Sequence, residues 1–424
     1  MGFGRPHNGR YRAQIYRHIA IRRGIIMIRS THYQVTLLAL TTFVAGANEY
    51  ILAGILDLVS KGLGTPVDIT GQLITIYALV YGLCVPVVVA LTSRIGRRSV
   101  LTVAMLLYAL ASAACFFVEG FWGFALLRVL QALTGGVAIV TALSTAAVIA
   151  GPERRGRAIA TVVMGFTLSL IVAVPIGREM AVCWGWNSVF LVIGALGLLT
   201  ALGQRSILPK LTPAATIPLR QQAAMLRRPA VVGGLLVTVL WMGGYVVTYS
   251  YLTPYLLRVQ HVARGWVSPL LLVFGIASLM GTRLGGSHTD RHGHHATLVK
   301  GKVGMMVALV AMALAGMLLP HGSLIAIAIV LIVWSLASWA CGPSQQVRTA
   351  ALDPEASGVL VGLNQSAMQI GIAAGTALGG VSAGVVGLAS LPWLSTGVVA
   401  VALMLMVALR PRLVRGSRVS VGCP

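Results

Sequence analysis

The chain is short of charge, and of negative charge above all. Only 10% of its 424 residues are charged, and just nine are acidic against 32 lysines and arginines. Globular proteins in water carry roughly 25% charged residues. At 57% hydrophobic residues, this chain cannot cover itself with a polar surface, and the soluble classes are excluded. Cysteine is scarce too. Cys84, Cys115, Cys183, Cys341 and Cys423 have neither metal-ligand nor disulfide spacing, and four lie in apolar runs, so they read as small packing residues. Also missing are a Walker-type loop, paired carboxylates, a nucleophile with a nearby base, and a metal-binding set. An enzyme and an ATP-driven pump are therefore not expected, nor is a cofactor. No soluble signalling domain of the kind a membrane sensor would carry is present. Residues 1–31 hold seven arginines but no long apolar stretch and no small-residue cleavage site, so they are not a cleaved secretory signal. They read as a disordered, basic cytoplasmic tail, with Met27 as an alternative start.

What the chain does have is apolar length. A bilayer core of about 30 Å takes about 20 helical residues to cross. Twelve such spans fall near 34–56, 70–91, 99–118, 122–149, 157–177, 186–204, 230–255, 266–284, 296–319, 322–345, 358–384 and 387–409. The segment 205–229 differs, with Pro209, Pro213 and Pro218 among five basic residues, and is expected to be a cytoplasmic linker. It divides a bundle at 32–204 from a second at 230–409, followed by a tail at 410–424. The net charge of +23 does not imply nucleic acid, because the basic residues sit singly or in small groups between apolar runs. They are topology signals instead. Counted by side, 27 fall with the N-terminus and four (Lys61, Arg178, Arg258, Arg264) opposite, with Arg128 alone inside a span. The bias places both termini in the cytoplasm, and the expected location is the cytoplasmic (inner) membrane.

The two halves share a landmark. A basic turn, Arg94-Ile-Gly96-Arg97-Arg98, joins spans two and three, and Gly286 with Asp290-Arg291-His-Gly293 joins spans eight and nine. Superposing Arg94 on Arg291 aligns Gly96 with Gly293 and the apolar runs on either side. A repeat of this length marks two parallel halves, the sequence trace of a two-bundle transporter.

These turns resemble the paired loop motifs of the major facilitator superfamily. Arg128-Val-Leu-Gln131 through Gly135-Gly136 is similar to its helix-four motif. Gly165 with Val174-Pro175-Ile-Gly177 and Gly185-Trp186 resembles the helix-five signature of the twelve-span drug:proton antiporters. Glu49-Tyr-Ile-Leu-Ala-Gly54, Thr70-Gly-Gln-Leu-Ile74, Tyr251-Leu-Thr-Pro254 and Asn364 through Gly375 look most like purine base and nucleoside efflux pumps. Arabinose and chloramphenicol exporters are near neighbours. The sequence departs from those patterns at Ser93, where an acid is usual, and at Val89, Ala173 and Asn187. The resemblance implies an all-α membrane fold of twelve helices in two pseudo-symmetric six-helix bundles. It also implies a proton-coupled exporter working by alternating access, with a small molecule and protons as partners, in the bilayer, as a monomer and without nucleic acid. A proton-independent facilitator or importer is the alternative within transport.

Several residues stand out chemically. Glu49 is a lone carboxylate in mid-span beside Asn48, where a charge costs a few kcal/mol and is seldom found without a use. Out of water a carboxyl favours its neutral form. Proton exchange or substrate contact is expected there, against the alternative of a protonated interhelical bond. Arg128 needs a polar partner, either Glu49 as counter-ion or backbone carbonyls. Gln72, Tyr77, Tyr81, Trp241, Tyr245, Tyr249, Trp334, Asn364 and Gln369 are candidates to stack on, or hydrogen-bond to, a flat polar substrate. Gly371, Gly375 and Gly379, at four-residue spacing, read as a close-packing stripe, and Pro175 and Gly177 as a bend at a sliding contact. Pseudo-symmetry suggests a charge latch on the cytoplasmic face. Arg94, Arg97 and Arg98 would meet Asp353 and Glu355, while Asp290 would meet Arg154, Arg155 and Arg157. His288, His292, His294 and His295 crowd the second turn, but only Asp290 joins them, and a solvated loop is expected rather than a metal site.

Overall fold

The computed structural model of the protein describes residues 8–211, 219–318, 323–353 and 356–409. Among these residues every regular element is helical: α1 (Asn8–Gly54), α2 (Leu56–Gly62), α3 (Val67–Leu91), α4 (Arg97–Ala114), α5 (Phe121–Ile149), α6 (Gly151–Trp184), α7 (Trp186–Ile207), α8 (Leu219–Met225), α9 (Pro229–Tyr249), α10 (Leu252–Arg258), α11 (Arg264–Leu318), α12 (Leu324–Ala350), α13 (Ser357–Val385) and α14 (Leu391–Ala408), with three short 3₁₀ turns. Eleven of the described helices are long and apolar enough to cross a membrane. One of them, α11, has 55 residues, or about 82 Å at 1.5 Å each. That is far more than one bilayer. It divides at Gly293, whose φ of 81° and ψ of 158° leave the helix, in a region that only glycine enters without strain. The two arms of α11 are therefore two crossings, which makes twelve in all.

Two expectations change. The N-terminal segment, expected to be disordered, is helical from Asn8 onward and continuous with the first crossing. Helix-favouring Arg, Ala, Gln and Met recur along it without a proline, and an existing helix extends at little cost once nucleated. Arg128 is not the only basic residue deep in a helix either. Arg178, Lys302 and Arg348 are also inside helices and almost fully buried. Assigning them to helix ends placed them by sequence distance from a span edge, which says nothing about which side of the helix they occupy.

The outer faces are apolar. Leu79, Leu83, Val87 and Leu91 recur every four residues along α3 and are 41–74% exposed, a stripe suited to lipid. The inner faces pack through small residues, because lipid tails are as apolar as leucine and helices in a membrane gain chiefly from close approach. A Cβ on Gly371 would lie 2.7 Å from the Val239 carbonyl oxygen, and one on Gly379 would lie 2.8 Å from that of Val247. A Cβ on Gly375 would run into the Gly243 carbonyl. The stripe expected on α13 is thus the surface that lets α9 and α13 touch backbone to backbone.

The first crossing of each half is broken at matching places. Ile55 separates α1 from α2 with φ −120° and ψ 17°, and Tyr251 separates α9 from α10 with φ −110° and ψ 15°. The offset between them, 196 residues, differs by one from the 197 that separates Arg94 and Arg291. A broken helix inside a membrane needs partners for its freed carbonyls. Arg178 supplies one, donating from Nη1 to the Gly54 oxygen at 2.8 Å. The same guanidinium grips Asp57 with two bonds of 2.8 and 3.2 Å. Thr253, just past the second break, donates to the carbonyls of Ala53 and Gly54 at 3.2 Å each. The two breaks therefore meet, and they tie the halves together.

Candidate functional site

The halves join along α3 with α13, α6 with α11, and α1 and α2 with α10. A Cβ on Gly71 would meet the Tyr251 ring, and one on Gly275 would lie 2.8 Å from Ile171. Near mid-span, where α1 faces α13, Gln369 donates from Nε2 to Glu49 Oε1 at 2.9 Å. This bond crosses from one half to the other, 320 residues apart in sequence. The other carboxyl oxygen of Glu49, the amide oxygen of Gln369 and the Tyr77 hydroxyl are all buried without a partner.

These three polar ends face a cavity of about 40 Å³ lined by α1, α3, α9, α12 and α13. Its lining follows helix periodicity: Glu49, Tyr50 and Ala53; Ile74, Tyr77 and Ala78; Met242, Tyr245, Val246 and Tyr249. Each set is spaced by one, three, four or seven residues, so each comes from one helix face. One wall is aromatic. Tyr245 and Tyr249 stack at 5.1 Å with their planes 16° apart, and Tyr249 stacks on Phe274 at 5.6 Å. Trp339 donates its indole N–H to the Tyr245 hydroxyl at 3.3 Å. The space is large enough for only a few waters, whereas small-molecule pockets run to about 300–1,000 Å³. In this conformation the cavity is closed around its own polar groups.

Arg128 lies directly behind. Its Nη1 donates to the Asn48 backbone oxygen at 3.2 Å, to Asn48 Oδ1 at 3.1 Å and to Gln131 Oε1 at 3.3 Å. Its guanidinium carbon sits 4.2 Å from the centre of the Tyr77 ring. No ion pair joins it to Glu49. Arg128 therefore makes no contact ion pair with Glu49 but holds Asn48 on one side and Tyr77 on the other.

Glu49, Tyr77, Tyr245, Tyr249 and Gln369 thus converge, with Asn48 and Arg128 in support, while the other substrate candidates lie elsewhere. Asn364 is an interhelical clamp whose Oδ1 accepts from Thr238 at 2.7 Å and Thr349 at 3.2 Å. Gln72 faces α13 near Gly380 and donates to the Asp68 carbonyl at 3.3 Å. Trp334 is fully buried behind Tyr245, 5.6 Å between ring centres. Tyr81 packs beside Tyr77. Trp241 looks into the second half, with the Lys302 ammonium 5.9 Å from its ring centre. Tyr50, Met242 and Trp339 line the cavity and were not singled out from sequence. Their signal was available in part, since Met242 shares a face with Tyr245 and Tyr249 while Trp241, one residue earlier, is rotated about 100° away.

The gating candidates are distributed along the basic turns. Gly96 caps the start of α4, and Gly286 has open space around it. Arg97 donates to the Ser144 carbonyl at 2.7 Å and Arg98 to that of Leu208 at 3.2 Å, both within the first half, while Arg94 is exposed. Asp353 pairs with Arg228 rather than with those arginines. Glu355 lies outside the described residues. Asp290, Arg291 and Arg154, Arg155 and Arg157 are exposed, and no ion pair links Asp290 to the three arginines. The latch is thus not engaged in this conformation. Pro175 sits inside α6 without ending it, and a Cβ on Gly177 would collide with Ile51. Among the described residues no cluster of three metal-binding side chains occurs.

A family model described as Major Facilitator Superfamily matches residues 38–376. The MFS-type transporter YbcL of Bacillus subtilis is 43% identical over 86% of this chain and 92% of its own length. The inner membrane transport protein YdhP of Escherichia coli K12 is 30% identical over 88% of this chain and 95% of its own. Among solved structures, an inward-facing bacterial homologue of the human lysosomal transporter Spinster superposes with a TM-score of 0.69 at 18% identity, covering 91% of this chain and 97% of that one. The human organic anion transporter MFSD10 superposes with a TM-score of 0.64 at 17% identity, covering 89% and 99%.

Proposed function

The protein belongs to the major facilitator superfamily and is an integral membrane transporter of that type; on that premise we propose that it is a proton-coupled exporter of small, flat molecules rich in hydrogen-bond donors, purine bases or nucleosides being the leading class. The observation that carries the reading is the Glu49–Gln369 bond across the halves, in a cavity where Gln369 Oε1 is an unpartnered acceptor and Glu49 Oε2, also unpartnered, accepts once ionised. Such acceptors suit an exocyclic amine or a ring N–H. The stacked Tyr245 and Tyr249 suit the face of an aromatic ring.

Glu49 is the proton carrier in this reading. Closed away from water, the carboxyl keeps its proton; opened to the cytoplasm, it releases it. Its bond to Gln369 is then a link between proton and conformation, because separating the halves breaks it. Protons entering from outside would leave inside as substrate moves outward. Arg128, held by Asn48, positions α1 beside Tyr77 rather than carrying protons itself. The basic turns, with both termini, are cytoplasmic, and the Asp290 contact closes that face in the opposite conformation.

The test is flux in reconstituted vesicles under an imposed pH gradient, with labelled adenine and adenosine and with arabinose and chloramphenicol for comparison. Accumulation of the purines that collapses with the gradient supports the reading. Equal flux with and without the gradient would make the protein a facilitator, and transport of arabinose or chloramphenicol alone would remove the purine assignment.

A further inference from the structure

The second basic turn borders a feature separate from the central cavity. Between the two arms of α11, with α12 as its floor, lies an open groove of about 380 Å³. Its upper rim carries Arg291, His292 and Lys300, all exposed. Its lower part is walled by Leu284, Leu336 and Ala340. Among the described residues no carboxylate lines it, and the neighbouring Asp290 is not part of the wall. The groove is therefore cationic at the level of the turn and apolar below it, over one continuous surface.

The rim is built rather than incidental. Lys300 Nζ donates to His288 Nε2 at 3.3 Å, and His288 Nδ1 bonds Thr297 Oγ1 at 2.8 Å. His288 also stacks on His292 at 4.3 Å between ring centres. With both ring nitrogens engaged, His288 is no metal ligand; it holds the Lys300 ammonium over the mouth of the groove. Below, Gly285 and Gly301 bring the two arms close to α12, where a Cβ would run into Ala340 and Cys341.

We propose that this groove binds one anionic phospholipid of the adjoining leaflet, with its phosphate between Arg291 and Lys300 and an acyl chain against Leu284, Leu336 and Ala340. Three features favour a lipid over a soluble anion. The groove opens beside the exposed apolar stripe of the first arm, where Leu272, Ile276, Met280 and Leu284 recur every four residues and are 40–54% exposed. It runs from the turn into the apolar span, where a soluble anion would gain nothing. Leu284 is 54% exposed at the junction, an apolar surface that an acyl chain covers. Basic pockets between spanning helices at this depth select anionic headgroups by charge. Because both arms of α11 meet at the Gly293 turn, the lipid would bridge two crossings of the second half.

The experiment is native mass spectrometry of the full-length protein released from mixed micelles containing equal phosphatidylglycerol and phosphatidylcholine. We expect the wild type to retain phosphatidylglycerol at least fivefold over phosphatidylcholine. The double variant Arg291→Gln/Lys300→Gln should lose that preference, while Arg205→Gln, which removes a charge elsewhere on the protein's surface, should keep it. Inorganic phosphate and glycerol 3-phosphate at millimolar concentration serve as headgroup-only competitors. Equal retention of the two lipids by the wild type would overturn the proposal without any variant. So would equal loss in Arg205→Gln, or full displacement by phosphate, which would identify a soluble-anion site.

Discussion

Replacing Glu49 with glutamine separates the proton from the bond it shares. The amide has the size of the carboxyl, and its carbonyl can still accept from Gln369 Nε2 at the 2.9 Å now observed. A hydrogen bond to a charged group is worth about 1.5–3 kcal/mol and a neutral one about 0.5–1.5 kcal/mol. The stability lost is therefore on the order of 1 kcal/mol if wild-type Glu49 is ionised in this conformation, and close to nothing if it is protonated. Melting in detergent should move by only a few degrees. Coupling should respond very differently, because among the described residues Glu49 is the one carboxyl lining the cavity. Glu49→Gln vesicles should fail to accumulate purine under an inward proton gradient, yet keep counterflow exchange. Exchange by the wild type should vary with pH, and exchange by the variant should be flat. Gradient-driven accumulation at half the wild-type rate or more would refute the assignment and leave Glu49 as an interhelical bond.

Three further outcomes are expected. Asp57→Leu leaves Arg178 buried and unpaired beside the broken end of α1, which should cost about 3–5 kcal/mol, whereas Asp57→Leu with Arg178→Met should recover most of it; thermal unfolding of the purified protein reads both. Gly375→Val should cost at least the roughly 1–3 kcal/mol of an overpacked core, since the obstacle is the Gly243 backbone, while Gly286→Ala, with open space around it, should leave melting unchanged. Asp290→Asn should raise the labelling rate of a cysteine placed on the inner side of the basic face; a partly exposed pair is worth about 0–1 kcal/mol, so the rise should be up to about fivefold, and an unchanged rate would remove Asp290 from the latch.

Much of the fold was legible because a bilayer writes its thickness into the sequence. The central part of each of the twelve expected spans is helical, although those at 34–56 and 230–255 run across the breaks at Ile55 and Tyr251. The breaks at Ile55 and Tyr251 were not legible, because neither carries a proline or glycine at the break itself. What tolerates them lies elsewhere in sequence: Arg178, which caps Gly54, and Thr253, which reaches across the halves. Arg178 was counted as a topology charge for the same reason. Charge bias reads distance from a span edge, and its Asp57 partner is 121 residues away.

At the site, the sequence identified chemistry better than it identified direction. A lone acid in mid-span is conspicuous whatever it faces, and Glu49 does line the cavity. The amides and aromatics were not separable by type, because one residue along a helix turns a side chain by about 100°. Phase does separate them. Taking Tyr245 and Tyr249 as a pair fixes the inner face of α9, which adds Met242 and drops Trp241; both agree with the lining. The same step on α13 joins Gln369 to Ile372 and leaves Asn364 to the clamp on Thr238 and Thr349. Partners across the halves remain beyond such phase arguments. Nothing near Glu49 in sequence points to Gln369, and it is that bond which turns a buried acid into a group able to sense whether the halves are together.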